Sequence, residues 1–324
     1  MRVRVDVGAR LHVGFQNLSL AHERLYGGVG VALESPRVAL EAEPAVGIDC
    51  PDTLVGTYAE RSCELLGVDG VSIDVVDALP RHVGVGSGTQ TALATLAAVA
   101  RAHGKPASVR ELAPSLNRGG RSGVGVASFE HGGFVVDAGH PTERFTTAPP
   151  PAGEWTVPAI TARHDLPEEW RFLVVLPDAD EGRSGETEDE SMRSVVENAD
   201  PSIADSLATL LIRRLLPAAA EGRLEAFGDT VGDFGRLNGA WYADEQGGVY
   251  RPPAGRLIDE LADSPAVRGV GQSSWGPAVY GVTDRSLAGD ARDAADAALS
   301  SIGVDGGVRV VRPRNDGARI TEIQ

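Results

Sequence analysis

Three glycines at alternate positions, Gly84, Gly86 and Gly88, open a run that reads GVGSGTQTALATLAAVARAH and passes straight into an apolar helical stretch. Lacking side chains, they let the backbone turn tightly and its N–H groups converge on an anion. Ser87, Thr89 and Gln90 add side-chain donors. The helix that follows brings its positive end to the same point. A phosphate or a pyrophosphate is the ligand this geometry suits. The same residues also suit a plain glycine turn capped by Ser87, and the loop alone leaves both readings open.

Arginines supply the other obvious anion binders. Arg10 and His12 stand two residues apart on one face of an alternating strand, Arg24 precedes a Gly27-Gly28 turn, and Arg121 precedes Ser122-Gly123. Guanidinium forks match phosphate and carboxylate alike. In a chain this rich in arginine each could equally be a surface charge, and His12 a satisfied strand histidine.

These groups must be carried by a scaffold. Residues 1–14, 29–42 and 71–78 alternate or are β-rich and predict strands; 88–103 predicts a long helix and 107–117 a shorter one. Strands follow at 133–137 and 171–176, and helical periodicity returns at 189–198, 204–220, 223–238 and 255–263. A strand near 277–283, a helix at 287–301 and a strand at 307–312 close the chain. Strands dominate the first half and helices the second, which predicts an α+β architecture in two lobes, with the Pro-rich stretch 148–158 near the boundary. The acidic run DADEGRSGETEDE (178–190) holds seven carboxylates and one arginine. It reads as a solvated loop entering a helix, or as a mobile flap over a site with Ser184, Gly185 and Glu186 inside it.

Composition narrows the classes. At 324 residues, with 42% hydrophobic and 23% charged residues, the chain can bury a real core, and two domains are expected. The start, MRVRVDVGARLHVGF, lacks a signal peptide's apolar block, and no stretch approaches the roughly 20 apolar residues of a membrane span. A cytoplasmic protein is expected. Cys50 and Cys63 fit neither a zinc nor a redox spacing and read as reduced thiols. The net charge is −16, and Lys105 is the only lysine among 30 basic residues. Such a surface suits a saline cytoplasm and argues against non-specific nucleic-acid binding, which needs basic stripes.

Three segments in order resemble the GHMP kinase superfamily. Pro80, Gly84, Val85, Gly86 and Ser87 fit its phosphate loop, with Gly88 where a second serine is usual. NRGGRSGVGVASFEHGGFVVDAGH (117–140) resembles the stretch that carries the kinase aspartate, but Gly125 stands in the aspartate's place. GVGQSSWGPAVYGV (269–282) falls where the family has its C-terminal glycine motif. Within the superfamily, ARLHVGF (9–15), RLYGGVGVAL (24–33), GVGSGTQTALA (84–94), residues 118–140 and GQSSWGPAVYG (271–281) resemble the beta-ribofuranosylaminobenzene 5'-phosphate synthase family.

That resemblance implies an α+β, two-lobed GHMP-kinase-like fold. Residues 1–165 would form a lobe like ribosomal protein S5 domain 2 with the phosphate loop, and 166–324 a ferredoxin-like α/β sandwich lobe. It implies a phosphoribosyltransferase that joins phosphoribosyl pyrophosphate to 4-aminobenzoate or 4-hydroxybenzoate, with loss of carbon dioxide and pyrophosphate, in methanopterin-type pterin biosynthesis of an archaeal, halophilic host. Under it, Gly84, Gly86, Ser87, Gly88, Thr89 and Gln90 hold the pyrophosphate, with Mg2+ on Glu130 and Asp137. Arg24, Arg121 and Trp275 are the catalytic candidates, Trp275 stacking on the aromatic acceptor. Arg10, His12, Gly27, Gly28, Ser122, Gly123, Gln272, Ser273 and Ser274 line the substrates. The partners are small molecules, with no membrane and a homodimer as a family-level expectation. An ATP-dependent small-molecule kinase and a non-catalytic sugar-phosphate or nucleotide binder are the competing readings.

Overall fold

Alternation builds the first hairpin. In β1 (Val3–Asn17) the residues Val3, Val5, Val7, Ala9, Leu11 and Val13 are buried, while Arg4, Asp6 and Arg10 on the other face keep partial exposure. Its partner β2 (Arg24–Pro44) is 21 residues long and is the strand on which the first sheet is organised. The computed structural model describes residues 1–147, 150–151, 153–180 and 186–324, without the side chains of Glu186 and Thr187. Ser184 and Gly185, and residues 148, 149 and 152 of the Pro-rich stretch, lie outside the described residues.

Along the chain follow β3 (Gly47–Asp49), α1 (Thr53–Leu66), β4 (Gly70–Asp77), α2 (Ser87–Ala102), α3 (Val109–Leu112) and α4 (Val124–His131). Then come β5 (Phe134–Asp137), β6 (His140–Pro141), β7 (Ile160–His164) and β8 (Trp170–Pro177). The helical part holds α5 (Glu186–Asn198), α6 (Pro201–Leu210), α7 (Leu216–Ala220), α8 (Leu224–Ala240), α9 (Ala243–Gln246) and α10 (Ala254–Ala262). β9 (Arg268–Gln272), β10 (Val279–Asp284), α11 (Ala288–Ile302), β11 (Gly306–Val311) and β12 (Arg319–Glu322) complete it.

Two sheets result. The first runs β12-β1-β2-β4-β3, with β5 and β6 also pairing β2 and β7 extending β5; among the described residues only β3–β4 is parallel. The second is antiparallel, in the order β11-β8-β10-β9. The fold is the expected α+β arrangement. The last strand crosses back to pair β1, with Val3 opposite Glu322.

Several elements differ from the sequence expectation. Helix α1 was not anticipated, although Asp52 caps it by accepting from Leu54 and Val55 N–H, and Gly67 ends it in the left-handed region. The helix expected at 107–117 is a single turn, α3, and a 3-10 turn over Pro114–Leu116. Pro114 has no N–H to continue the ladder. The helix expected at 204–220 is continuous in direction but passes through a π-helical turn, Leu211–Leu215, ahead of Pro217. α4 and the strands β3, β7, β9 and β12 were also unforeseen.

α2 is apolar all round because it is covered on all sides. It packs on β1 and β2, and its Ala92 and Leu96 meet Tyr58 of α1 and Leu116. α8 joins the halves. Its Phe227 lies edge-on to Phe134 of β5 at 5.3 Å and 4.9 Å from Trp170 of β8, and Asn238 Nδ2 donates to the Phe15 carbonyl at 2.7 Å. The end of β1 is thereby held against the helix that packs on the second sheet.

Candidate active site at the start of helix α2

The phosphate-type loop is held from both sides. Arg10 N–H donates to the Val85 carbonyl at 3.0 Å, and Ala278 N–H to the Val83 carbonyl at 3.1 Å. The Gly84 carbonyl accepts from Arg10 Nη1 at 3.0 Å and from the Ser273 hydroxyl at 2.8 Å. Ser273 in turn accepts from His12 N–H at 3.0 Å, and Ser274 N–H donates to the His12 carbonyl at 3.2 Å. The approach demands glycine: a Cβ on Gly84 would lie 2.2 Å from the Ser273 carbonyl oxygen, and one on Gly276 2.1 Å from the Val83 carbonyl carbon. Motif one, motif three and β1 are one unit. Gly86 caps α2 in the left-handed region and no side chain bonds to the cap, so the first-turn N–H groups keep their anion-binding character.

The second motif closes on the first from α4. A Cβ on Gly125, the position the resemblance gives to the kinase aspartate, would lie 2.9 Å from Thr89 Cγ2. Thr89 fills the space a longer residue would need. Gln90, fully buried, turns inward and donates to the Gly125 carbonyl at 2.9 Å; its Oε1 has no partner. Asp137 organises the base of the motif. It accepts from Gly123 N–H at 2.7 Å, the Ser122 hydroxyl at 3.1 Å and Gly139 N–H at 2.9 Å. Burial raises its pKa, and the donors from Gly139, Gly123, Gly28 and Ser122 oppose that rise. Gly28 is pressed against Ser122 and Asp137, and Gly27 against Gln16; both serve close packing of β2 here.

The arginines separate into two groups. Arg24, exposed, donates to the Ala138 and Gly139 carbonyls at 2.6 and 2.8 Å and so clamps the turn after Asp137. Arg10, Arg118 and Arg121 instead share one carboxylate neighbour, Glu188. Arg121 bonds Glu188 at 2.9 Å and also pairs Asp189, both on the first turn of α5. Thus part of the acidic run docks on Arg121 while keeping partial exposure. Burial raises the Glu188 pKa against the pull of these arginines. Arg118 was not among the sequence candidates, though it lies in the same RGGRS segment as Arg121. Its guanidinium reaches Tyr58 Oη, lies 5.5 Å from that ring's centre, and leaves Nε buried without a partner. It also abuts the loop: a Cβ on Gly88 would sit 3.2 Å from Arg118 Nη2.

Beside this charged region lies a partly open recess of about 40 Å³. His12, Phe15, Tyr242, Tyr250, Gln272 and Trp275 contribute to its wall. Trp275 is buried and meets Tyr242 edge-on at 4.7 Å. Gln272 accepts from Arg251 N–H at 2.8 Å and donates to the Ser274 carbonyl at 3.0 Å, fixing the loop that carries Trp275. Burial, followed by the charge of Arg10, lowers His12 to about 3, so the imidazole is neutral. Tyr242, Tyr250 and Glu188 also went unnoticed in the sequence.

The two carboxylates expected to hold Mg2+ are engaged otherwise. Glu130 is ion-paired with Arg110 at 2.8 Å, and both Asp137 oxygens accept protein hydrogen bonds. Among the described residues no group of three or more His, Cys, Asp or Glu is placed to hold a metal ion. These side chains do not fit a protein-ligated magnesium centre.

Residues 53–133 match the family model for the GHMP kinases N terminal domain. The beta-ribofuranosylphenol 5'-phosphate synthase of Methanothermobacter thermautotrophicus is 35% identical over 97% of both chains. That of Archaeoglobus fulgidus is 31% identical, over 98% of this chain and 99% of its own. Among solved structures, homoserine kinase from Cytophaga hutchinsonii superposes with a TM-score of 0.65 at 16% identity, covering 99% of this chain and 97% of that one. Methanococcus jannaschii mevalonate kinase gives 0.66 at 12%, covering 96% and 98%. The kinases share the fold at 12–16% identity; the stronger sequence likeness, at 31–35%, is to the synthases. The chain belongs to the beta-ribofuranosylphenol 5'-phosphate synthase family.

Proposed function

We propose that the protein is a phosphoribosyltransferase that condenses phosphoribosyl pyrophosphate with 4-hydroxybenzoate or 4-aminobenzoate, releasing carbon dioxide and pyrophosphate, in methanopterin-type pterin biosynthesis. The observation that carries the reading is that Arg10 and Arg118 abut the loop at the start of α2 while Arg121 shares their carboxylate neighbour Glu188, with Thr89 filling the space at Gly125. Such a site binds a polyanion and offers no carboxylate at the position where the kinases use one.

In this reading the first-turn N–H groups of α2 and the arginines stabilise charge as it grows on the leaving pyrophosphate. Another guanidinium grips the sugar phosphate or the acceptor's carboxylate. Arg24 positions Ser122 and Gly123 through the turn at Asp137. Mg2+ belongs to the proposal as a counter-ion carried on pyrophosphate oxygens, with no protein carboxylate assigned to it.

The test is incubation with phosphoribosyl pyrophosphate, Mg2+ and carboxyl-labelled 4-hydroxybenzoate or 4-aminobenzoate in high salt. Labelled carbon dioxide and pyrophosphate should appear in equal amounts. Failure to release label, together with ATP-dependent phosphorylation of a hydroxyl compound, would establish the kinase reading instead.

A further inference from the structure

His12 is an anomaly in its strand. Its neighbours Leu11 and Val13 are apolar, and it is itself 5% exposed. Its backbone N–H and carbonyl are both used, by Ser273 and Ser274, yet its Nε2 is buried with no hydrogen-bond partner. Leaving a buried polar atom unpaired costs about 1–3 kcal/mol, so such atoms point to a missing partner. β1 shifts register between His12 and Gly14, a bulge of the kind that re-aims side chains near active sites.

The surroundings say what that partner is. The imidazole meets Phe15 edge-on at 4.8 Å, and the recess it borders is walled by Tyr242 and Trp275. A volume of about 40 Å³ admits a hydroxyl or amino group with the adjoining edge of a ring, while the rest of the ring lies in the mouth. Arg10 stands two residues before His12 on the same strand, and Tyr242 borders Arg121. The cationic region therefore lies against the Tyr242 side of the recess.

We infer that this recess seats the para-substituent end of the aromatic acceptor, and that His12 Nε2 accepts a hydrogen bond from that substituent's O–H or N–H. The inference rests on the synthase reading above and adds a catalytic residue and a specificity rule to it. In a para-substituted benzoate, the carboxyl-bearing carbon then faces out of the recess, towards the arginines and the bound sugar. With the imidazole proton on Nδ1, Nε2 presents a lone pair.

The chemistry explains why the contact matters. The carboxyl-bearing ring carbon donates an electron pair to sugar C1, while the C1–oxygen bond breaks and its pair leaves with pyrophosphate. Positive charge develops in the ring and spreads to the para oxygen or nitrogen, whose proton becomes more acidic. The hydrogen bond to Nε2 strengthens at that moment, and differential stabilisation of this kind raises turnover. The bond to the carboxylate then breaks, its electron pair restores aromaticity, and carbon dioxide departs. The para proton remains with the product, so no net proton or electron is needed.

The specificity rule follows from the unpaired atom. A site built to hydrogen-bond a substrate group rejects analogues lacking it. 4-Hydroxybenzoate and 4-aminobenzoate should bind, and 4-methoxybenzoate, with no proton to donate, should bind at least about tenfold more weakly. Titration calorimetry on the wild-type protein reads this without any variant. Equal affinity for the hydroxy and methoxy compounds, or no detectable 4-hydroxybenzoate binding, overturns the inference.

Two variants sharpen it. His12→Phe should abolish the preference and lower kcat by on the order of 100-fold, with KM for phosphoribosyl pyrophosphate within about threefold of wild type. His12→Gln, which keeps an acceptor, should restore part of both. A preference that survives in His12→Phe sinks the assignment. Should wild type release no labelled carbon dioxide, the synthase reading fails, and the calorimetric comparison still judges the recess on its own.

Discussion

The start of α2 and the recess at His12 share one strand, β1, but are opposite in character. The first is cationic, uncapped and partly open, and its arginines are met by Glu188 and Asp189 from α5. The second is a recess walled by aromatic rings and lined by a histidine that burial keeps neutral. Charge selects a polyanion on one side; shape and a single acceptor atom select a ring on the other. A reaction that joins a phosphorylated sugar to an aromatic acid needs both, set side by side with little water between them.

The largest expected effect tests the charged side. Arg118→Ala should lower kcat/KM for phosphoribosyl pyrophosphate by about 100- to 1000-fold, the loss typical of one electrostatic donor, with KM for the benzoate within about threefold. Steady-state kinetics with each substrate varied will show the asymmetry. A KM for the benzoate raised by more than about tenfold would erase the distinction between the two regions.

Gly125→Asp puts the kinase carboxylate back. Crowding against Thr89 alone should destabilise the fold by about 1–3 kcal/mol, read as a lower denaturation midpoint, and should confer no ATP-dependent activity. A variant as stable as wild type would mean that the gap at Thr89 is not what excludes a side chain there.

Acid separates the regions by titration. His12 is held near 3 when folded against 6.5 unfolded. Between those values the unfolded chain binds the additional proton, so stability falls as pH drops through 6.5 towards 3. His140, lowered to about 4 mainly by burial, acts in the same sense. For His12 the loss is about 2 kcal/mol at pH 5. Thermal denaturation against pH should show a shallower acid limb in His12→Phe, and an unchanged limb would place the acid sensitivity elsewhere.

The smallest effect concerns α5. Glu188→Gln removes the carboxylate that occupies Arg121, and KM for phosphoribosyl pyrophosphate should fall by about two- to fivefold, the range of a partly exposed ion pair. A raised KM would instead make Glu188 part of the bound state.

Legibility in the sequence followed the range of the interaction. The loop at Gly84–Gln90 and the helix after it were plain, because glycine spacing and helical periodicity are local signals. Helix α1 was equally local, announced by Asp52 and Gly67, yet went unread. Arg10, Arg121, His12 and Trp275 were recognised as candidates, but Arg118 three positions from Arg121 was passed over, and nothing local distinguishes an arginine aimed at the loop from one aimed at solvent. Arg24 shows the converse, since its sequence setting suggested a site while its guanidinium holds two backbone carbonyls.

By itself the sequence determined the strand hairpin, the anion-binding loop, the absence of an aspartate at Gly125 and the family to which these motifs point. Each depends on residue type and short spacing. Only the tertiary structure decided that the Ser273 hydroxyl would lock the Gly84 carbonyl across a separation of 189 residues. It alone drew the acids of α5 onto Arg121 and left His12 Nε2 unpaired beside an aromatic recess. Those features arise where distant segments pack, because burial and unmet hydrogen bonds belong to the assembled core and to no single stretch of chain.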